Sequence, residues 1–110
     1  MYCVFCEIIA RRSPGTIRYE DDDTIAFDNI LGWVPIMLLV VPKLHMTQEE
    51  LWRSGMDKVG PVAVQLGLQY CPEGFRLLSN FGRSAMQSQS HAHIHVVGGT
   101  RLGPYVQPAH

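Results

Sequence analysis

The stretch SQSHAHIHVVGG, residues 88–99, carries three of the chain's five histidines at alternate positions: His91, His93 and His95. Alternate side chains of a β-strand lie on one face, roughly 6.6–7 Å apart. The residues between the histidines are all apolar and form the opposite face: Ala92, Ile94 and Val96. The sequence therefore predicts a last strand over 90–99 with one imidazole face and one face that packs on helices.

Packing alone does not explain three imidazoles on one face, because a buried histidine needs hydrogen-bond partners. Three neutral imidazoles could hold a catalytic zinc ion, but such a row spans too far to close on one ion without bending. The other interpretation is covalent catalysis, in which one imidazole attacks an electrophile such as a nucleotide phosphorus and its neighbours fix its tautomer. The preceding loop offers Gln87, Ser88 and backbone N–H groups that can hold phosphate oxygens.

The rest of the chain has the pattern of an α+β protein with a mostly antiparallel sheet. A short helix is predicted over 4–12, and four more strands are predicted over 16–20, 24–29, 36–41 and 75–80. Thr47 and Glu50 form a capping box, so the major helix begins near Gln48 and reaches about Tyr70. We expect Gly60-Pro61 to interrupt it, which leaves either one kinked helix or two shorter ones.

Composition limits the classes of function. The chain has 110 residues and a net charge of −1, which indicates a single domain over 1–110 and argues against a nucleic-acid partner held by bulk charge. The longest apolar run, VPIMLLVVP over 34–42, is about half of a membrane span. No cationic leader precedes the apolar N-terminus, so we predict a cytoplasmic protein without a membrane partner. In a reducing compartment three cysteines favour thiolate chemistry over disulfides.

Several segments together resemble the Hint branch of the histidine triad family. HAHIHVV matches the motif His-x-His-x-His followed by two apolar residues, and three further segments match in order and spacing: 2–30, LLVVPKLHMTQ over 38–48 and LLSNFG over 77–82. The resemblance extends to about Gly99, and the tail over 100–110 matches no pattern. It implies a HIT-like fold with a five-stranded sheet, a single domain and a homodimer in which two sheets join.

The resemblance also implies an activity. His93 would attack the α-phosphorus of a purine nucleoside phosphoramidate or a related AMP-like nucleotide, and water would then hydrolyse the nucleotidyl-histidine. His95 would bind the phosphate, while Gln87 and Ser88 would contact the phosphate or the leaving group. A backbone carbonyl near the triad would hold the N–H of His93, and catalysis would need no cofactor. The alternatives are hydrolysis of dinucleoside polyphosphates or adenylyl sulfates, or a zinc-stabilised nucleotide-binding module with little turnover.

A purine nucleoside slot follows from the resemblance as well, lined by Phe5, Ile8, Phe27, Asn29, Ile30 and Asn80. From the residues alone, an ordinary core is the favoured interpretation of the apolar members. Asn29 stands where many relatives carry an aspartate that binds the ribose. An amide loses the charge-assisted hydrogen bond, so we expect weaker ribose binding.

Cys3 and Cys6 form a C-x-x-C pair, which on its own is a redox pair, half of a zinc site or incidental. Some relatives complete a structural zinc site with histidines that match His45 and His91 here. Two thiolates and two imidazoles satisfy a closed tetrahedral site. The alternative is a pair of reduced cysteines, and Cys71 is expected to be a small buried hydrophobe.

Two positions depart from the family pattern. Met37 stands where many relatives carry a histidine that supports the triad, which puts the reaction rate in doubt. Met86 stands where relatives often have glycine, so we expect a narrower phosphate site.

Overall fold

The computed structural model describes residues 2–104, so residues 105–110 of the predicted tail lie outside the described part of the chain. The helices are α1 (Val4–Ile9), α2 (Gln48–Glu50) and α3 (Met56–Tyr70). A π-helical turn (Leu51–Gly55) joins α2 to α3, and a 3₁₀ turn (Arg83–Ala85) follows the fourth strand. The strands are β1 (Ile17–Glu20), β2 (Thr24–Asp28), β3 (Ile36–Pro42), β4 (Phe75–Leu78) and β5 (Ile94–Gly98).

The five strands form one sheet in the order β1-β2-β3-β5-β4, and each neighbouring pair is antiparallel. The last strand, β5, lies inside the sheet between β3 and β4. His95 is paired with Leu39 on one side and with Leu78 on the other. The predicted α+β class with a five-stranded antiparallel sheet is therefore confirmed.

The sheet separates two apolar clusters. The larger one packs α3 on the sheet through residues of alternate strand positions, among them Leu38, Val40, Ile94 and Val96. The smaller one packs α1 on the opposite face and contains Phe5, Ile8, Ile25, Phe27, Leu39 and Val41. Ala92 belongs to the cluster under α3, so the predicted apolar face of the histidine segment is oriented as expected.

Two boundaries differ from the sequence prediction by more than two residues. The hydrogen-bonded part of the last strand begins only at Ile94, so His91 and His93 precede β5 although their side chains keep the alternation. The first helix ends at Ile9 and not at Arg12, since Arg11 has a positive φ of 63° that ends the helix.

The major helix also differs from the prediction. It continues through Pro61, and its irregular stretch is the π-helical turn at Leu51–Gly55. A proline removes one helix hydrogen bond, but the apolar face of α3 is buried on both sides of it, through Val59, Val62 and Ala63. This packing keeps the helix intact where local propensity predicts a break.

A search of residues 2–104 for helices of membrane-spanning length and hydrophobicity finds none.

Candidate functional site

The ring of His93 is held in one tautomer by the backbone. Its Nδ1 lies 2.8 Å from the carbonyl oxygen of His91, and the side chain is only 4% exposed. A carbonyl oxygen can only accept, so Nδ1 carries the proton and donates it. The lone pair of Nε2 is then available, which is the state that a nucleophile or a base needs.

Two side chains that the sequence analysis did not single out hold the backbone of His93. The buried amide of Gln48 accepts from the His93 N–H at 3.1 Å and donates to the Asn80 carbonyl at 3.4 Å. Ser79 donates from its hydroxyl to the His93 carbonyl at 2.8 Å. Gln48 lies three residues before the fully buried Leu51, and this helical spacing signals a buried amide. No comparable pattern marks Ser79.

His95 lies beside His93, with ring centroids 5.0 Å apart. Burial, and to a smaller degree the positive charge that His93 would carry, lower the pKa of His95 to about 4. Burial also lowers the pKa of His93, although its hydrogen bond to the His91 carbonyl opposes this effect. Both rings are therefore neutral at pH 7, and two adjacent cations are avoided.

His91 belongs to a different group of side chains. Its Nδ1 lies 3.1 Å from Nδ1 of His45 and 3.5 Å from each of the sulfurs of Cys3 and Cys6. The Cys6 sulfur is 3.3 Å from Nδ1 of His45. The four ligand atoms all lie within 4.8 Å of one another. We call these residues the metal cluster.

The spacing of the metal cluster fits a tetrahedral zinc ion. Zinc bonds of about 2.3 Å to sulfur and about 2.05 Å to nitrogen place tetrahedral ligands about 3.6 Å apart for an N–S pair and about 3.3 Å apart for an N–N pair. The observed distances of 3.3–3.5 Å and 3.1 Å are close to these values.

The protonation of the cluster also suits a cation. Nε2 of His91 donates to the Pro42 carbonyl at 2.7 Å, so the lone pair of Nδ1 is directed at the other ligands. The Cys3 sulfur accepts from the backbone N–H of Cys6 at 3.4 Å, which supports a thiolate. Partial burial raises the pKa of the Cys6 thiol, and a bound cation would reverse this shift.

The apolar residues predicted for a nucleoside slot lie together beside the histidines. The rings of Phe5 and Phe27 meet edge to face with centroids 5.4 Å apart, and Ile8 packs in the same cluster. Phe5 also contacts the His93 ring, at 5.3 Å between centroids. Phe5 and Phe27 are 5% and 2% exposed, so in this conformation they pack beneath His93 and offer little surface to a ligand.

The remaining residues predicted for the slot are not brought into this cluster. Asn29 uses its side-chain oxygen to accept from the backbone N–H of Leu31 at 3.0 Å. Ile30 is fully exposed on the loop that follows β2. Asn80 follows β4, and its backbone carbonyl accepts a hydrogen bond from the side-chain amide of Gln48.

The loop before the histidines is organised by Gln87. Its side-chain oxygen accepts from the Gly82 N–H at 2.8 Å, and its amide donates to the Gln89 carbonyl at 3.0 Å. Ser88 is exposed on the same loop. Met86 has a left-handed backbone with φ of 61° and a side chain that is 80% exposed. Glycine adopts this conformation without strain, so the backbone at position 86 favours glycine over methionine.

Met37 lies on the histidine face of β3, opposite Val97 of β5. Its sulfur accepts from the backbone N–H of Trp33 at 3.2 Å. In this chain the position therefore anchors the loop between β2 and β3.

A five-stranded antiparallel sheet with His91, His93 and His95 at alternate positions has the fold and the motif of a histidine triad protein. The HIT domain model matches residues 10–102 of the 110. This chain belongs to the HIT family.

Relatives of known name match over most of the chain. The 14 kDa zinc-binding protein of Brassica juncea is 34% identical over 109 residues, which cover 90% of this chain and 94% of the relative. The adenylylsulfatase HINT1 of Arabidopsis thaliana is 33% identical over 109 residues, which cover 90% of this chain and 72% of the relative.

Solved structures match as well. A HIT family hydrolase from Clostridium thermocellum has a TM-score of 0.80 with 36% identity, and 96% of each chain is covered. A zinc-bound histidine triad protein from Mycobacterium smegmatis has a TM-score of 0.74 with 28% identity, covering 97% of this chain and 84% of that one.

Proposed function

We propose that this protein is a hydrolase that cleaves a bond to the α-phosphorus of a purine nucleotide, with His93 as the nucleophile. The observation that carries the proposal is the hydrogen bond of 2.8 Å from Nδ1 of His93 to the His91 carbonyl. It fixes the proton on Nδ1 and leaves Nε2 free to attack. Membership of the HIT family and the similarity to a HIT family hydrolase support the same class of reaction.

The reaction has two steps. Nε2 of His93 forms a bond to the α-phosphorus while the bond from phosphorus to the leaving group breaks, and the leaving group takes a proton from solvent. Water then attacks the same phosphorus and gives a proton back to solvent, the bond to Nε2 breaks, and a nucleoside monophosphate leaves. His95, Gln87 and Ser88 are the groups we assign to the phosphate or the leaving group. A neutral His95 donates one hydrogen bond to a phosphate oxygen without placing a second charge beside His93.

We assign the nucleoside to the surface around Phe5, Ile8 and Phe27, with Asn29, Ile30 and Asn80 at its margin. Burial of Phe5 and Phe27 means that a purine enters only if the surrounding side chains move. The side-chain oxygen of Asn29 already accepts from the Leu31 N–H, so it would share this acceptor with a ribose hydroxyl, and we expect weaker ribose binding.

The metal cluster is proposed as a structural zinc site held by Cys3, Cys6, His45 and His91. When bound, zinc would cross-link α1, the end of β3 and the segment before β5. It would take no part in the reaction at the phosphorus. The distances of 3.1–3.5 Å between ligand atoms support this role. The names of two relatives, a zinc-binding protein and a zinc-bound histidine triad protein, support it as well.

The test of the hydrolase is cleavage of a fluorogenic adenosine phosphoramidate. We expect the native protein to release the fluorophore and His93→Ala to lose about a thousandfold or more in rate, as expected for a removed nucleophile. Lys58→Ala, at an exposed residue of α3, is the matched control and should keep the native rate. Equal rates for the native protein and His93→Ala would reject the proposal, provided that circular dichroism confirms that both are folded.

The leaving group is tested by comparing substrates with a common AMP half. Adenosine 5′-phosphoramidate, adenylyl sulfate and diadenosine polyphosphate differ only beyond the α-phosphorus. The adenylylsulfatase relative favours including the sulfate, and we expect the phosphoramidate to be cleaved fastest. A faster sulfate or polyphosphate would reassign the substrate but keep His93 as the nucleophile. Binding of AMP without any turnover would favour a zinc-stabilised binding module.

The protein is proposed to be a homodimer. Within residues 2–104, β4 pairs only with β5 and leaves its other edge open. Apolar side chains are exposed on β4 and on the outer face of α3: Leu77, Leu78, Val64 and Leu68. An open sheet edge with exposed apolar side chains beside it favours pairing with the sheet of a second copy. Light scattering should give twice the chain mass, and Leu68→Glu should lower it; a native monomer at micromolar concentration would contradict the dimer.

A further inference from the structure

His91 is the residue that the metal cluster and the nucleophile share. Its Nδ1 faces the cysteines and His45, its Nε2 donates to the Pro42 carbonyl, and its own carbonyl accepts from Nδ1 of His93 at 2.8 Å. The side chain is fully buried. One residue therefore makes all three contacts: its ring belongs to the metal cluster, and its carbonyl fixes the tautomer of His93.

We propose that metal occupancy of the cluster controls the nucleophile, and that His91 is the positioning residue that transmits it. A bound ion holds the ring of His91 against Pro42, and this holds the His91 carbonyl in line with Nδ1 of His93. The catalytic consequence rests on the proposed hydrolase, whereas the coupling of the ion to the conformation of His93 does not.

The geometry without an ion explains why occupancy matters. The lone pair of His91 Nδ1 is 3.1 Å from Nδ1 of His45. At this distance two imidazole nitrogens need a shared proton or a shared cation, because two facing lone pairs repel. His45 is exposed, so its ring can rotate away into water when no cation is bound. His91 then loses this neighbour and keeps as polar contacts the Pro42 carbonyl and the two cysteine sulfurs.

The coupling is expected to be partial. Gln48 and Ser79 hold the backbone N–H and the carbonyl of His93 at 3.1 and 2.8 Å, and neither side chain belongs to the metal cluster. Loss of the ion therefore loosens the contact at Nδ1 and leaves the rest of the segment in place. Site-to-site couplings of this kind change affinity by about tenfold, which is far less than the loss expected for His93→Ala.

The test uses His45→Ala, because this exposed ligand has no contact with His93 among those described. The variant and the native protein are stripped with a chelator, and zinc is titrated back at constant pH. Nitrogen NMR of the imidazoles reports the tautomer of His93 directly, without turnover. Calorimetry measures AMP affinity with and without zinc. Leu44→Ala, at the exposed neighbouring position, is the matched control and should behave like the native protein.

We expect zinc to raise the population of the Nδ1–H tautomer of His93 in the native protein and to tighten AMP binding by about tenfold. His45→Ala should need more zinc for the same change. Linkage requires that AMP raise the zinc affinity by the same factor. Competition with a chromogenic chelator measures this affinity. His93 signals that stay constant through the zinc titration would overturn the proposal, and so would a native protein that binds no zinc. If zinc shifts the His93 tautomer but no nucleotide is cleaved, the proposed hydrolase fails and the coupling stands.

Discussion

The metal cluster and the histidine pair meet within five residues of sequence, but they are built in different ways. The cluster joins side chains from three remote segments, with Cys3 and His91 separated by 88 positions. His93 and His95 are neighbours whose state depends on local backbone groups and on burial. The first arrangement is proposed to stabilise the fold by cross-linking, and the second keeps an imidazole neutral and oriented. The same residue type is thus proposed to have a structural role at His91 and a chemical role at His93.

Removal of the metal should produce the largest effect on stability in this comparison. Free zinc at a hundred times its dissociation constant stabilises the folded state by about 2.7 kcal/mol. For a domain of this size, that corresponds to a fall in Tm of more than about 10 °C after chelation. Thermal melts of stripped and reloaded protein, with metal content checked by elemental analysis, measure it. An unchanged Tm after removal of the metal would show that the cluster does not stabilise the fold.

Gln48 tests whether the histidine pair depends on its own supports. Gln48→Ala leaves the buried N–H of His93 and the Asn80 carbonyl without their partner. Unsatisfied buried groups cost about 1–3 kcal/mol, and the displaced His93 should also react more slowly. Gln65→Ala, at an exposed position on α3, serves as the control in urea unfolding and in the hydrolysis assay. If both variants behave alike, Gln48 has no supporting role.

Met86 tests the strain in the loop before the histidines. A left-handed backbone costs a residue with a Cβ roughly 1–2 kcal/mol, and glycine avoids it at some cost in chain entropy. Met86→Gly should therefore raise the free energy of unfolding by about 1 kcal/mol or less. Met86→Ala keeps the Cβ and should give no gain. Equal stability of the glycine and alanine variants would show that the loop carries no strain at this residue.

The smallest effect is expected on the opposite face of the sheet, where Arg18 binds both oxygens of Asp28 at 2.8 Å. This contact lowers the pKa of the Asp28 carboxyl. A carboxyl whose pKa is lower in the folded state stabilises the fold above its unfolded pKa of about 3.9, and this contribution is lost as the pH falls through the folded pKa. Asp28→Asn should be less stable than the native protein at pH 7.

The difference between Asp28→Asn and the native protein should shrink below about pH 4, the ordinary range of an aspartate. Urea unfolding at pH 7 and at pH 3 measures it. The pair is partly exposed, with side-chain accessibilities of 39% and 36%, so water screens it and the effect is small. A constant difference at both pH values would mean that the ion pair contributes nothing.

The sequence predicts the sheet and the apolar face of the histidine segment because these depend on residue type and spacing. Alternation places Ala92 and Ile94 under α3. The four predicted metal ligands follow from the family resemblance, and the fold brings them together. By contrast, the support of His93 by Gln48 and Ser79 depends on tertiary contacts that cross 45 and 14 positions.

The errors have physical causes as well. The sequence predicts that Pro61 kinks or breaks the helix, but burial of Val59, Val62 and Ala63 outweighs one missing hydrogen bond. The sequence predicts a strand that includes His91 and His93 because side-chain alternation continues there, but ladder hydrogen bonds begin at Ile94. Alternation reports side-chain direction, and only the partner strand decides where pairing begins.

The most direct test of the account is detection of the nucleotidyl-histidine. Native protein mixed with adenosine 5′-phosphoramidate is quenched on the millisecond scale, digested and analysed by mass spectrometry. We predict a peptide containing residues 91–95 with one added adenylyl group, located on His93 by fragmentation and absent from His93→Ala. Turnover with no adduct on any residue, or an adduct on His91 or His95 in its place, would contradict the assignment of His93 as the nucleophile.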